Sequence, residues 1–250
     1  MKKILFIVIV LISFKASAQM QTEGSVRYLV THSWTKKIAS LSYFTKQQKE
    51  KISYMWSGRD EWKMYCTLYF NQKESKYVES EEKAEKEDEG GYSWRKDVYI
   101  VKRNFENQTM SDAIETLGKT YIIEDTLAGM DWKIQNDLKE VASHVCMKAV
   151  TEDTIKKQKI VAWFAQDIPL STGPERFYGL PGMILEVDVN DGGMIVTADK
   201  IDLMKLTNEL DLPKKLKGKK VKDADYQKVL KNHIDGKIKE EQPYWWGLRY

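Results

Sequence analysis

The sequence predicts a mainly β protein built as one strongly curved antiparallel meander. Apolar and polar residues alternate with a period of two in several segments, which is typical of half-buried strands. The alternation is clearest over residues 62–70 and 183–201, where Asn190-Asp191-Gly192-Gly193 marks a hairpin turn. Long helical spacers between strands are absent from the pattern, which favours antiparallel neighbours over βαβ units.

Taken in order, the alternating segments predict strands over residues 26–30, 41–43, 52–56, 62–70, 93–103, 120–125, 132–135, 140–150, 159–165, 183–189 and 194–201. Residues 168–182 interrupt this pattern with prolines and glycines, so we expect an ordered loop that crosses the sheet. Such a meander suggests a half-barrel like that of periplasmic lipoprotein carriers, with a closed lipocalin-like barrel as the alternative. Either architecture would present a concave apolar face.

The first 18 residues have the features of a secretory signal peptide. Lys2 and Lys3 precede an apolar run over residues 4–14, and Ala16-Ser17-Ala18 fits the signal-peptidase pattern. The run has 11 residues, whereas a membrane-spanning helix needs about 20. We therefore expect cleavage between Ala18 and Gln19 and an exported protein that does not span the membrane. The periplasm of a Gram-negative envelope is the first expectation, and secretion is the alternative.

Charge and composition exclude two further classes. The predicted leader contributes three lysines, and the remaining chain has 37 basic and 37 acidic residues, so it lacks the footprint of a nucleic-acid binder. A hydrophobic content of 42% is too high for a disordered protein. Residues 19–250 suit one β-rich domain.

The C-terminal part of that domain, residues 214–250, departs from the strand pattern. Six lysines lie within residues 214–222 and predict a basic linker. Tyr226, Leu230 and Ile234 then fall four residues apart, on one face of a short helix. The aromatic tail at residues 243–250 either packs back onto the sheet or contacts a partner.

Two cysteines and one histidine are candidates for a disulfide, a metal site or a catalytic site. Cys66 and Cys146 could form a disulfide in an oxidising compartment or remain two buried thiols, and the sequence leaves both open. His144 and Cys146 would leave the same face of a strand, but no third ligand or orienting group is identifiable. P-loop, dinucleotide-binding, HExxH and GxSxG motifs are also absent. We therefore expect no metal, no cofactor and no enzymatic activity.

Two short motifs fit a pattern for O-glycosylation by some Gram-negative exporters. They are Asp125-Thr126-Leu127 and Asp153-Thr154-Ile155, with Thr126 and Thr154 as the acceptors.

The most distinctive segment is Gly179-Leu180-Pro181-Gly182-Met183-Ile184. It resembles the signature hexapeptide of the GLPGLI family of exported bacterial proteins, with Met in place of the second Leu. Asp131-Trp132-Lys133-Ile134 and Cys146-x-Lys148-Ala149 also resemble elements of that family, in the same order. The motif residues that the resemblance singles out are Trp163, Pro169, Gly173, Pro174, Phe177, Gly179, Leu180, Pro181, Gly182, Met183 and Ile184.

What the resemblance implies is limited to location. The family is of unknown function and often accompanies outer-membrane TonB-dependent receptors, which implies work in the cell envelope. From the residues themselves, Pro181-Gly182 suits a type II turn in which Gly182 takes positive φ, while Gly179 allows a close backbone approach. The loop could be architectural or could contact a ligand.

Three functional hypotheses follow. The first is a non-enzymatic envelope protein that binds an apolar ligand or a protein segment on its curved sheet. The alternative is an accessory subunit of an outer-membrane TonB-dependent transporter, docked through the aromatic tail. The second alternative is a hydrolase with a carboxylate site or a Cys146–His144 site.

Overall fold

The computed structural model describes residues 23–56, 60–84, 98–245 and 248–249. The predicted signal peptide and the first part of the strand predicted over residues 93–103 lie outside these ranges. Twelve strands and three helices are found within them. The strands are β1 (Gly24–Ser33), β2 (Glu61–Phe70), β3 (Glu74–Glu79), β4 (Tyr99–Asn104), β5 (Thr109–Thr116), β6 (Lys119–Thr126), β7 (Lys133–Val141), β8 (His144–Asp153), β9 (Gln158–Ala165), β10 (Met183–Val189), β11 (Met194–Leu203) and β12 (Lys219–Val221); the helices are α1 (Trp34–Ala39), α2 (Lys46–Met55) and α3 (Asp223–Lys239).

The twelve strands form one open, curved sheet in the order β12-β6-β5-β4-β3-β2-β1-β11-β10-β9-β8-β7. Ten neighbouring pairs are antiparallel, and β12 runs parallel to β6. The prediction of a mainly β, strongly curved sheet is therefore confirmed, with one parallel pair added. The closed-barrel alternative is wrong, because β12 and β7 remain as the two edges.

β1 lies near the middle of the sheet, between β2 and β11. Val26, Tyr28 and Val30 alternate with more exposed residues and are almost completely buried. Burying each such side chain stabilises the fold by roughly 1.5–3 kcal/mol. The period-two pattern thus identified the strand that joins the two halves of the sheet.

The strands predicted over residues 41–43 and 52–56 are wrong, because this region forms α1, α2 and the turn between them. Thr45 accepts a hydrogen bond from the Gln48 backbone N–H, and the Gln48 side chain accepts one from the Thr45 N–H. This capping box satisfies two backbone donors that would otherwise lack partners at the start of α2. The local cap therefore outweighs the short period-two alternation.

The single strand predicted over residues 140–150 is in fact a hairpin. Ala142 and Ser143 take φ values of 48° and 65°, and the chain reverses between β7 and β8. Neither residue is the Asn or Gly that usually marks such a turn. β3 and β5 were not predicted, because charged residues obscure their alternation. β12 was not predicted either, because it lies within the segment predicted as a basic linker.

The C-terminal helix is confirmed and is longer than predicted. α3 has 17 residues and buries Tyr226, Leu230 and Ile234, the face that their spacing predicts. These side chains share one buried apolar cluster with the sheet, with Phe177 and Leu180 of the crossing loop, and with Tyr244 and Trp245 of the tail. Among the described residues, no helix combines the length and apolar character needed to cross a membrane.

Candidate functional site

The crossing loop between β9 and β10 carries most of the motif residues. Most of them are buried against other parts of the chain. Gly173, Pro174, Phe177, Leu180, Gly182, Met183 and Ile184 are buried, Trp163 is half-buried, and Pro169, Gly179 and Pro181 are exposed. The Trp132 Nε1–H donates to the Tyr178 carbonyl at 2.8 Å, and the Tyr28 hydroxyl donates to the Ile184 carbonyl at 2.7 Å. The first contact fixes the loop against the segment before β7, and the second ties the start of β10 to β1.

The two glycines of the hexapeptide have the opposite roles to those predicted. Gly179 takes positive φ, at 94°, whereas Gly182 is not among the residues with positive φ. A Cβ at Gly182 would lie 2.2 Å from the Ala165 carbonyl oxygen, so this position requires close backbone approach. The prediction of a type II turn with positive φ at Gly182 is therefore wrong.

A buried ion pair joins this loop to the C-terminal tail. The Arg249 guanidinium donates to both carboxylate oxygens of Glu175, from Nε to Oε2 at 2.9 Å and from Nη2 to Oε1 at 3.0 Å. The Glu175 side chain is 0% exposed, and its oxygen Oε1 also accepts from the Tyr77 hydroxyl at 3.0 Å. Glu175 has φ 55°, a conformation that costs a non-glycine residue of order 1–3 kcal/mol. The ion pair helps to hold it there.

A second buried network lies beside the first. The Asp112 carboxylate, 0% exposed, contacts both Arg103 and Arg176. Arg176 also donates to Asp223 at the start of α3, at 2.6 Å. Through Arg176, the crossing loop thereby forms ion pairs with both the sheet and α3. Charged residues in a loop do not reveal such distant partners, and the sequence analysis missed these contacts.

The aromatic tail packs back onto the fold. Tyr244 and Trp245 are 4% and 6% exposed, and the Tyr43 hydroxyl donates to the Gln242 carbonyl at 2.8 Å. Trp246, Gly247 and Tyr250 lie outside the described residues. Of the two roles left open for the tail, these residues fit the first, in which the tail packs back onto the sheet as a C-terminal strap.

The apolar face predicted to hold a ligand is filled by the chain itself. Two pockets beside the tail have cavity volumes of about 10 and 30 Å³. Ligand pockets usually span about 300–1,000 Å³, so these two are far smaller and have room for about one or two water molecules each. A large apolar ligand would have to displace α3, the tail or the crossing loop.

Cys66 and Cys146 are free, buried thiols, so the structure contradicts the possible disulfide. Cys66 belongs to β2 and Cys146 to β8, and β1, β11, β10 and β9 lie between them in the sheet. Burial raises the pKa of each thiol to about 11. Both thiols are therefore protonated at neutral pH and weakly nucleophilic.

The His144–Cys146 pair does not form a catalytic arrangement. His144 Nδ1 lies 2.7 Å from Asp167 Oδ2, which supplies the orienting carboxylate that sequence spacing did not reveal. The Cys146 thiol instead contacts the His144 backbone carbonyl, at 3.6 Å. Within the described ranges, no group of three His, Cys, Asp or Glu side chains is arranged to hold a metal ion.

The predicted O-glycosylation acceptors are both exposed. Thr126 ends β6, and Thr154 lies in the turn between β8 and β9. Both hydroxyls are accessible to a modifying enzyme, and the modification stays a prediction.

One exposed apolar surface lies on the β7–β8 hairpin at one edge of the sheet. Leu138 and Val145 are 65% and 64% exposed, and Ile134 is 49% exposed. Ile134 lies opposite Ala149, Leu138 opposite Met147 and Glu140 opposite Val145. Because directly paired residues share a face and strand neighbours alternate, Ile134, Leu138 and Val145 lie on one side of the hairpin. We call Ile134, Leu138 and Val145 the edge patch.

The backbone of β7 continues this surface. β7 pairs with β8 on one side, and no second strand of the described part of the chain pairs with it. The opposite edge, β12, has only three residues and exposes Lys219 and Lys220, features that discourage strand addition. β7 has nine residues, with a shift in pairing register between Ile134 and Leu138, and is the longer of the two edges.

Comparison with known proteins finds a matching model of a family of unknown function, and solved structures with a similar fold. The sequence model described as "Protein of unknown function (Porph_ging)" matches residues 151–186, which include the crossing loop. No curated protein matches this chain. The resemblance to the GLPGLI family stays a prediction.

Two solved structures are similar in fold. They are structures of PNGF-II in the C2 and P21 space groups, with TM-scores of 0.54 and 0.52 and sequence identities of 12% and 13%. The similarity covers 83% and 82% of this chain but 32% and 33% of those chains. The chain thus spans about a third of the PNGF-II structures, and the likeness concerns the fold alone.

Proposed function

We propose that this protein is a non-enzymatic binding protein of the cell envelope that receives an extended segment of another protein along β7. The observation that carries the proposal is the coincidence of an open strand edge with the edge patch on the same hairpin. The envelope location rests on the signal peptide predicted for residues 1–18. The family that matches residues 151–186 has no known function, so it adds no activity.

Strand addition explains why both features belong together. Backbone groups of an added strand pair with the N–H and C=O groups of the edge and supply affinity, while alternate side chains supply specificity. An apolar residue of the partner would cover Leu138 and Val145, and each buried side chain would contribute roughly 1.5–3 kcal/mol. A partner with alternating apolar and polar residues fits this surface best.

The filled apolar face favours a protein segment over a small apolar ligand. α3, the tail and the crossing loop already cover that face, whereas β7 pairs with β8 alone among the described strands. By the same argument, an accessory subunit of a transporter would contact its partner through β7 and not through the aromatic tail. A transporter segment would add to β7, since Tyr244 and Trp245 of the tail are buried.

A peptide array tests this proposal. The purified protein is applied to immobilised ten-residue peptides that alternate apolar and polar residues, and Kd is measured for those that bind. We expect Leu138→Lys and Val145→Lys to weaken binding at least about tenfold, because each loses apolar burial worth more than 1.4 kcal/mol. Met55→Lys is the matched control, since Met55 is 71% exposed on α2, outside the sheet. Equal binding by all four proteins would contradict the proposal.

A further inference from the structure

A small cavity between the sheet, α3 and the tail is lined by positive charges. Its volume is about 30 Å³, which gives room for about one or two water molecules or for a single ion of similar size. Three of its lining residues are cationic: Lys156 of the β8–β9 turn, Arg176 of the crossing loop and Arg249 of the tail. Within the described part of the chain, no Asp or Glu lines the cavity. Its charged lining is therefore entirely positive.

The carboxylates that pair with the two arginines are not part of the cavity lining. Arg176 uses Nε and Nη2 to bind Asp112 and Asp223, at 3.0 and 2.6 Å. Arg249 likewise uses Nε and Nη2 to bind Glu175. The Nη1 amino groups take no part in these pairs. Each guanidinium therefore has N–H donors beyond those that these carboxylates use.

Lys156 brings a third positive charge into the same buried space. Its side chain is 13% exposed, and its Nζ lies 4.0 Å from Asp153 Oδ2, a separation at the outer limit of an ion pair. Burial lowers the pKa of Lys156 to about 8, and the positive charge of Arg176 acts in the same direction. A negative charge in the cavity would favour the protonated amine.

Two buried hydroxyl groups of the cavity lining supply a further donor. The Thr116 Oγ1 and Tyr226 hydroxyl oxygens lie 2.8 Å apart, and the two residues are 3% and 5% exposed. Only one of the two hydroxyl hydrogens can lie between these oxygens, so the other can turn to a further acceptor. An anion in the cavity would accept that hydrogen bond together with those of the three cations.

A second cavity, beside Lys37, lacks this cluster of charges. Lys37 lies in the last turn of α1 and is 8% exposed, and burial lowers its pKa to about 7. Its cavity measures about 10 Å³, room for about one water molecule. Among the described residues, Lys37 is the one cation that lines it. Only the larger cavity thus combines room for an ion with several positive groups.

We infer that the cavity between Lys156, Arg176 and Arg249 binds one chloride ion. Its size excludes sulfate and phosphate, in which four oxygens surround the central atom, whereas a monatomic halide fits. The ion would accept charge-assisted hydrogen bonds from the β8–β9 turn, the crossing loop and the tail. It would thereby add a link between three segments that are distant in the sequence.

Bromide tests this inference on the intact protein, because it is close to chloride in size and scatters X-rays anomalously at its absorption edge. Crystals soaked in sodium bromide should show an anomalous peak inside the cavity, in contact with the Lys156 amine and with both guanidinium groups. Peaks confined to the protein surface would show adventitious ions only and would overturn the inference.

A measurement in solution separates this site from general effects of salt. Urea denaturation is followed while sodium chloride replaces sodium gluconate at constant ionic strength, because gluconate is too large for the cavity. Above Kd, each tenfold rise in chloride concentration should lower the unfolding equilibrium constant about tenfold. Lys156→Met should raise the Kd for chloride at least about tenfold, since it removes one of the three positive charges.

Lys157→Met is the matched control, because Lys157 is the exposed neighbour of Lys156 in the same turn. This variant should keep the response of the wild-type protein to chloride. A wild-type protein whose stability does not respond to chloride, or an equal response in the two variants, would contradict the assigned site.

Discussion

Glu175 and Arg249 are 74 residues apart in sequence and meet in a two-pronged ion pair inside the protein. Glu175 belongs to the crossing loop and Arg249 to the end of the chain, so the contact ties the most distinctive segment to the C-terminal strap. The Arg249 guanidinium also lies 3.8 Å from the centre of the Tyr99 ring. The loop and the strap therefore act as one structural unit that covers the sheet.

Removing one partner of this pair should be strongly destabilising. Glu175→Gln leaves the Arg249 charge buried without its counterion, and we expect the free energy of unfolding to fall by about 3–5 kcal/mol. Urea denaturation measures the change. Glu50→Gln is the control, because the Lys46–Glu50 pair is exposed and spans 3.8 Å, and its loss should cost less than about 0.5 kcal/mol. Similar stabilities for the two variants would show that the buried pair does not hold the loop and strap together.

The glycines of the hexapeptide should differ in how they respond to a methyl group. Gly182→Ala places a Cβ 2.2 Å from the Ala165 carbonyl oxygen, and we expect a loss of about 2 kcal/mol or more. Gly179→Ala would place its Cβ in ordinary contact with Trp132 Nε1, at 4.0 Å, but has φ 94°, which costs about 1 kcal/mol. Gly129→Ala meets neither obstacle and should change stability by less than about 0.5 kcal/mol. Thermal unfolding of the three variants ranks them, and a reversed order would refute the assigned roles.

Lys37 should make stability depend on pH in a defined direction. Its pKa is about 7 in the folded protein, below its ordinary value of 10.5, so between these values the unfolded state binds more protons. The contribution of Lys37 to stability therefore rises with pH in this window, by about 1.4 kcal/mol per unit. Lys37→Met should stabilise the protein more at pH 6 than at pH 9, as measured by urea denaturation. A gain that does not change with pH would contradict the assigned pKa.

The two thiols should be inaccessible to thiol reagents until the protein unfolds. Without reductant, a maleimide at pH 7 should label neither Cys66 nor Cys146 in the native state and both in urea, since both are free and buried. Mass spectrometry counts the labels. A native mass lower by two hydrogens, with no labelling in urea, would instead show a disulfide.

Sequence patterns predicted those parts of the fold that depend on neighbours in the chain. The alternation in β1 and β2 and the turn at Asn190-Asp191 identified strands correctly, because period two reports one buried face. Asn190 and Asp191 indeed take positive φ, at 56° and 52°. The capping box of Thr45 and Gln48 could have shown that the following residues form a helix.

The candidate site depends on contacts between distant segments, which local patterns do not contain. The place of β7 at an edge follows from the pairing of all twelve strands, and only then does Leu138 become an exposed residue beside an open backbone. The ion pair of Glu175 with Arg249 has the same origin. Asp167 likewise becomes the partner of His144 only through the pairing of β8 with β9.

Hydrogen exchange of β7 in the presence of a bound peptide tests the central claim most directly. A peptide selected on the array is added at saturating concentration, and amide exchange is followed over residues 133–141. Strand addition predicts slower exchange along the outer edge of β7, with no change in α2. A peptide that binds while exchange in β7 stays the same would contradict the proposed binding mode.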